Sequence, residues 1–346
     1  MTKEDLKYFQ SMPLDIKVAM TKTRIREWVT HYGVNGTYIS FSGGKDSTVL
    51  LHIARELYPD LPAVFVNTGL EYPEIQAFVK SFDNVKIIRP SMPFSQVISV
   101  YGYPLISKEV SQIIYEGRQY DAATGKYQYR INQLNGLRTN KNGEKSMFNY
   151  EKYKPLLYTD FRISNKCCDV MKKHPAKQYE RNTDRKPFIA SMASESALRA
   201  QKWLKEGCNS FDSKRQTSKP MSFWTDNDVL QYIQENNLKL CSVYGDIVSK
   251  DAQLTFDGIF DNVQLCTTGC YRTGCIFCGF GAHLDTYSRF KRLKETHPKQ
   301  YAYCLGGGEY DIDGVWKPNA KGLGMAHVID ELNKLYSKGG KPFIDY

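Results

Sequence analysis

Residues 37–47 read TYISFSGGKDS, a β-rich run that breaks at two glycines before Lys-Asp-Ser opens an amphipathic stretch. A strand that turns this abruptly into a helix aims several backbone N–H groups, and the positive end of the helix dipole, at one point. Such a turn is an anion cradle. Gly43 and Gly44 let the backbone approach a phosphate with no Cβ in the way, while Ser42 and Ser47 add hydroxyls and Lys45 adds a mobile charge. It is not the Walker loop, which carries Ser or Thr after its lysine; here Asp46 follows.

Val49, Leu50, Ile53 and Leu57 keep helical spacing after the loop, and PAVFVNTG, from Pro62 to Gly69, reads as a second strand. The result is a βαβ unit, in which ligands collect at the carboxyl ends of the strands. Asn67, Thr68 and Gly69 are therefore expected at the same crevice as the loop. Further on, the pattern predicts a helix from Tyr72-Pro73, a strand over 85–90 and a helix from about Ile106. A strand KPFIASMA ends just before Glu195, Ser196 and Arg199, and Thr225 with Asp228 three residues on caps a later helix. Residues 1–36 carry N-terminal helices with Ile16, Met20, Ile25 and Trp28 as core candidates. Residues 117–155, rich in Tyr, Asn, Gly and Lys, break the periodicity and read as an inserted flap.

A length of 346 residues suits about two domains. No apolar run approaches the roughly 18 residues of a membrane helix, and the start, MTKEDLKYFQ, is too polar for a signal peptide. The expectation is a cytoplasmic protein with no membrane contact. In a reducing cytosol, the nine cysteines are expected to be metal ligands or redox groups where they cluster. Cys167 and Cys168 are adjacent, and Cys266, Cys270, Cys275 and Cys278 fall within thirteen residues. Cys208 and Cys241 read as small buried hydrophobes. A net charge of +10 points towards polyanionic partners. The stretch 287–301 interleaves Arg289, Lys291, Arg292 and Lys294 with Tyr287, Phe290 and Tyr301; it reads either as a nucleic-acid contact or as an amphipathic helix with a solvated face.

The ordered set SGGKDS, NTGLEYPE, KCCDVMKKHP, SESALR and WTDNDVLQYI resembles the phosphoadenosine phosphosulfate (PAPS) reductase family, within the adenine nucleotide α-hydrolase superfamily of pyrophosphate-loop ATPases. The resemblance runs from about residue 37 to 280. It implies an α/β fold, a Rossmann-like parallel sheet with helices on both faces. A nucleotide domain would span 37–250 and a cysteine-rich extension 251–346. It implies that Ser42, Gly43, Gly44, Lys45, Asp46 and Ser47, with Asn67, Thr68 and Gly69, bind ATP, or PAPS or adenylyl sulfate, with Mg2+ bridging the phosphates. Asn67 stands where the family turn more often has Asp. Lys45, Asp46, Lys172, Glu195 and Arg199 take the catalytic positions, Arg199 facing phosphate. Read from spacing alone, Glu195 and Arg199 are equally an ion pair one helical turn apart.

Cys167-Cys168 with Lys172 repeats the Cys-Cys-x-x-x-Lys pattern of relatives that hold a 4Fe-4S cluster, and Cys275 and Cys278 complete that ligand set. Cys266, Cys270, Cys275 and Cys278 form an alternative set able to close a zinc site. The resemblance offers two chemistries. Phosphosulfate reduction uses a mobile cysteine in a Glu-Cys-Gly-Leu-His context, which these residues lack; the cysteine nearest the end is Cys304. The leading expectation is ATP pyrophosphatase activation coupled to sulfur transfer onto nucleic acid, with a cysteine desulfurase as donor and a homo-oligomeric assembly. A non-catalytic nucleotide-binding regulator or defence component is the third reading.

Overall fold

The computed structural model describes residues 1–250 and 264–346; the remaining part of the cysteine-rich extension, 251–263, lies outside the described residues. The chain divides into two compact units that do not follow chain order. The first comprises Met1–Asn67, Glu71–Arg89 and Pro175–Thr273, and the second Thr68–Leu70, Pro90–His174 and Gly274–Tyr346. The N-terminal helices thus belong to the first unit, and the extension is shared between both.

The first unit is built on a six-stranded sheet of β1 (Thr37–Ser40), β2 (Ala63–Val66), β3 (Val85–Ile88), β4 (Lys186–Ile189), β5 (Asn209–Ser210) and β6 (Thr217–Ser218). Its order is β3-β2-β1-β4-β6-β5. All neighbours are parallel except the edge pair β5 and β6. Ile39 pairs with both Ala63 and Phe188, and all three are fully buried. The chain runs outward from β1 to β3 and returns as β4 on the other side of β1. The loops after β1 and β4 therefore flank the point where strand order reverses, the position at which doubly wound sheets bind ligands.

Helices flank this sheet. Thr2 and Asp5 form a capping box on Lys3–Ser11, Pro73 opens Pro73–Lys80, and Thr225 with Asp228 caps Asp226–Glu235 as the sequence predicts. In Leu14–Tyr32 the core side is Ile25 and Trp28, but Ile16 is exposed. Lys17 is buried in its place. Its ammonium bonds both Asp228 oxygens, at 2.8 and 2.7 Å, and the Gln10 carbonyl at 2.7 Å.

The second unit is mainly helical. Phe94–Tyr101, Lys108–Gly117, Gln128–Leu134 and a 3-10 turn over Glu151–Tyr158 precede the cysteine pair, and Arg289–Thr296, Pro298–Leu305 and Met325–Tyr336 follow it. Ile113, Ile114, Leu156, Phe161, Leu293 and Leu332 form its interior. The predicted helix start near Ile106 is displaced: Leu105–Ile106 pairs in parallel with Gly279–Phe280, and Ser107 caps the helix two residues later. The 117–155 flap is ordered around Gln128–Leu134. Phe290 is fully buried and Arg289 binds Asp285 and two backbone carbonyls, so the 287–301 stretch holds an amphipathic helix, Arg289–Thr296, anchored to its own unit, and the start of the next. No helix among the described residues is long and apolar enough to cross a membrane.

Candidate functional site

The loop after β1 is knotted by short hydrogen bonds. The Ser42 and Ser47 hydroxyls lie 3.0 Å apart, the Gly44 amide donates to Ser42 Oγ at 3.3 Å, and Ser47 Oγ donates to the Gly44 carbonyl at 2.9 Å. Gly43 has φ +72°, and a Cβ there would lie 2.7 Å from Val79 Cγ2 and 3.0 Å from Ile75 Cγ2. Only glycine satisfies both demands. Gly44, at φ −80°, caps the N-terminus of Lys45–Leu57. A Cβ on it would meet the Tyr244 hydroxyl at 3.2 Å. That hydroxyl accepts the Lys45 amide proton at 3.1 Å and touches Thr273 Oγ1 at 2.8 Å.

Lys45 does not project freely. Its side chain is 2% exposed, and its ammonium bonds Asp46 at 2.8 Å and Asp226 at 2.6 Å. Burial works against that charge, yet the two carboxylates outweigh it and raise the lysine above its ordinary pKa. Asp226 in turn resists burial: bonds from Lys45 and from the Tyr271 hydroxyl, at 2.7 Å, hold its carboxyl below the usual range. Arg272 lies 3.7 Å from Glu195 and 3.6 Å from Asp226. Arg199 pairs with Glu195, which also accepts the Met192 amide at 3.0 Å. Burial and the neighbouring Arg272 charge lower the Arg199 pKa.

The loop, Glu195 and Arg199 are thus joined in one polar network within the first unit, in which Arg199 and Glu195 form the ion pair that their spacing allows. Asp226, Tyr244, Tyr271 and Thr273 were not among the expected site residues. A signal existed for Asp226 alone, since it directly follows the helix cap Thr225. Asn67 closes β2, its amide bonding the Ile88 carbonyl at 2.8 Å and its side chain reaching Gln76 at 3.4 Å. Thr68 Oγ1 accepts the Leu70 amide at 3.2 Å, and Gly69 has φ +74°.

In the second unit, Cys167, Cys168, Cys275 and Cys278 line one small cavity with Lys172, walled by Leu70, Phe94, Pro104 and Met171. The first pair sits where the helix widens to a π turn over Asp169–Lys173, with the His174 amide bonding the Asp169 carbonyl. Cys278 N–H bonds the Cys275 carbonyl at 3.1 Å, and Ile276 N–H bonds the Leu70 carbonyl at 2.8 Å. The Cys167 thiol donates to Cys168 at a sulfur separation of 4.0 Å. That donation, against the cost of burial, lowers Cys168, with help from Lys108, Lys172 and Lys173. It raises Cys167 correspondingly, and burial adds to the rise. Burial first, and the Cys275 charge second, push Cys278 up to about 11.

The alternative zinc set is divided. Cys266 lies on the Gln264–Thr267 strand and Cys270 is buried near Cys241 in the first unit, whereas Cys275 and Cys278 belong to the second. Among the described residues no group of three or more His, Cys, Asp or Glu is arranged to hold a single metal ion. Cys208 and Cys241 are buried, as expected. Cys304 is also fully buried, and burial drives its thiol far above the ordinary range.

A sequence profile of the phosphoadenosine phosphosulfate reductase domain matches residues 36–95 and 118–279. An uncharacterised protein of Methanocaldococcus jannaschii is 22% identical over 308 residues, covering 88% of this chain and 55% of its own length. The phosphoadenosine 5'-phosphosulfate reductase of Xanthomonas euvesicatoria is 31% identical over 68 residues, 18% of this chain and 28% of that enzyme. The chain thus spans about half or less of these relatives. A crystal structure of the Candida auris PAPS reductase, in a phosphate complex, superposes with a TM-score of 0.37 at 12% identity, covering 70% of this chain and 90% of that one.

Proposed function

Because this chain belongs to the phosphoadenosine phosphosulfate reductase family, we propose that it binds ATP on the 42–47 loop and activates an acceptor for sulfur transfer, with nucleic acid as the acceptor. The observation that carries the reading is the cradle. Gly43 turns at positive φ into the Lys45–Leu57 helix, whose dipole points its positive end at the turn, and the Gly44 and Lys45 amides there donate to the Ser42 and Tyr244 hydroxyls, whose place a phosphate would take. Lys45, Arg199 and Arg272 gather around it. The burial of Cys304 supports activation over reduction, because a thiol held protonated in the core is not the mobile nucleophile that phosphosulfate reduction needs.

In the proposed step, the loop holds the β and γ phosphates, and a bound Mg2+ would supply further charge neutralisation there. An acceptor oxygen forms a bond to the α phosphorus as the bond to pyrophosphate breaks. Charge neutralisation by the cations and by the helix terminus lowers the barrier. The terminal sulfur of a persulfide, R–S–S⁻, delivered by a cysteine desulfurase, then forms a bond to the adenylated centre as AMP leaves, and a second thiol cleaves the resulting S–S bond, freeing the acceptor's sulfur as a thiolate and ending as a disulfide with R. Cys167, Cys168, Cys275 and Cys278 fit a 4Fe-4S cluster as four thiol donors around one cavity, with lysine charge beside them. Such a cluster would supply a site for sulfur binding.

Incubation with α-labelled ATP and, separately, with PAPS tests this. AMP and pyrophosphate that accumulate with a nucleic-acid acceptor are the expected result. Sulfite released from PAPS would establish reduction, and tight binding without any product would establish a regulator.

A further inference from the structure

The sequence placed its basic and aromatic mixture at 287–301, where Phe290 is buried in the core, Arg289 binds Asp285 and Lys291 pairs with Asp345, while Tyr287 remains exposed beneath Arg292. A different surface of the second unit keeps the same chemistry exposed. Residues 117–155 hold eight Lys or Arg against three Asp or Glu, half of the net +10 in about a ninth of the chain. Six aromatic residues share the segment.

The geometry pairs these groups. Arg138 stands over the Phe148 ring at 5.5 Å, Arg130 over Tyr129 at 4.6 Å, and Lys126 over Tyr127 at 5.3 Å. Three such pairs fall within 23 positions. The backbone beneath is well tied. Ser146 N–H bonds the Arg138 carbonyl at 2.9 Å, Asn140 N–H bonds the Glu144 carbonyl at 2.8 Å, and Arg138 N–H bonds the Asn149 side chain at 3.1 Å. On this hairpin Leu137, Met147 and Phe148 are 65, 86 and 47% exposed, three large apolar side chains on one short segment. Lys145 pairs with Glu151 and Arg130 with Glu116, each at 2.6 Å, whereas among the described residues no ion pair holds Arg138 or Lys141.

We propose that this hairpin, with the neighbouring Tyr129, is a docking surface for single-stranded nucleic acid. The exposed ring faces stack on bases while Arg138 and Lys141 track the phosphates. A single strand is the occupant because flat ring faces need base faces, and a duplex hides those inside its stack. The charge ratio fits a polyanion. This surface deepens the acceptor class named above but is carried by residues of the second unit alone. Its test uses no ATP, so failure of the nucleotide reading and failure of this one are told apart.

The test is fluorescence anisotropy of a labelled oligothymidylate on the order of 20 nucleotides with the full chain, titrated from about 50 to about 200 mM KCl. Salt-sensitive binding is expected. Phe148→Ala weakens it by roughly 5- to 100-fold, and Phe148→Tyr retains it, since the ring face survives. Arg138→Ala with Lys141→Ala flattens the slope of log K against log salt by about 1.4, near 0.7 for each phosphate contact on a single strand. Circular dichroism melts confirm that each variant is folded, which these exposed positions favour. Four results each overturn the proposal: no binding at the lowest salt, unchanged affinity in both variants, tighter binding of a duplex of equal length, or tighter association with phosphatidylserine vesicles than with the oligonucleotide.

Discussion

The two units handle buried charge in opposite ways. Around the 42–47 loop every cation is matched: Lys45 lies between two carboxylates, Arg199 pairs with Glu195, and Arg272 reaches Glu195 and Asp226. Around the cysteine cavity the ionisable groups are mostly acids of one kind, and a proton shared between thiols keeps them apart. The first arrangement stabilises charge by pairing, so its residues are expected to matter for folding as well as for ligand. In the second, Lys108, Lys172 and Lys173 favour charge on Cys168, so its residues are expected to matter for chemistry more than for stability.

The sharpest test of that contrast is Lys45→Met. Removing the ammonium strands Asp226 and Asp46 in a partly buried site, at a cost of about 3 kcal/mol in chemical denaturation. A loss under about 1 kcal/mol would show that solvent rescues the carboxylates. Gly43→Ala comes next. A Cβ 2.7 Å from Val79 at positive φ costs about 2 kcal/mol and removes ATP binding, whereas Gly44→Ala, at negative φ and beside a movable hydroxyl, costs about 1 kcal/mol or less. Equal losses at both glycines would break the assignment of the bend to Gly43.

In the second unit, Cys275→Ser is expected to abolish bound iron while shifting the denaturation midpoint of the metal-free protein little, since the half-buried thiol gives way to a hydroxyl of similar shape. Undiminished iron would remove Cys275 from the ligand set. The smallest effect is one of pH. A thiolate alkylates and a thiol does not, so a lowered pKa carries reactivity to lower pH. Cys168 of the metal-free protein is expected to react with iodoacetamide well below the ordinary thiol range, and Cys278 only as pH approaches 11. Mass spectrometry of the labelled peptides reads both, and the reverse order would contradict the Cys167 to Cys168 proton donation.

What was legible in the sequence is local. The strand-glycine-helix turn, Pro73 at a helix start and the Thr225 cap each lie within a few residues, and each is where periodicity and cap chemistry place it. The partners of buried charge were not legible. Lys17 meets Asp228 across 211 positions and Lys45 meets Asp226 across 181, and no periodicity encodes such pairs. The π turn after Cys168 also left no mark, because a widened turn keeps the composition of an ordinary helix. The basic aromatic stretch at 287–301 left two readings open for a related reason: Phe290 and Arg289 look alike in sequence whether they face water or a core.

One consequence follows from the enclosure of Lys45. An acylating reagent that reports on surface amines passes over a side chain 2% exposed and held by two carboxylates. The slow labelling it does acquire is a clock for spontaneous opening of the cradle, readable without any substrate.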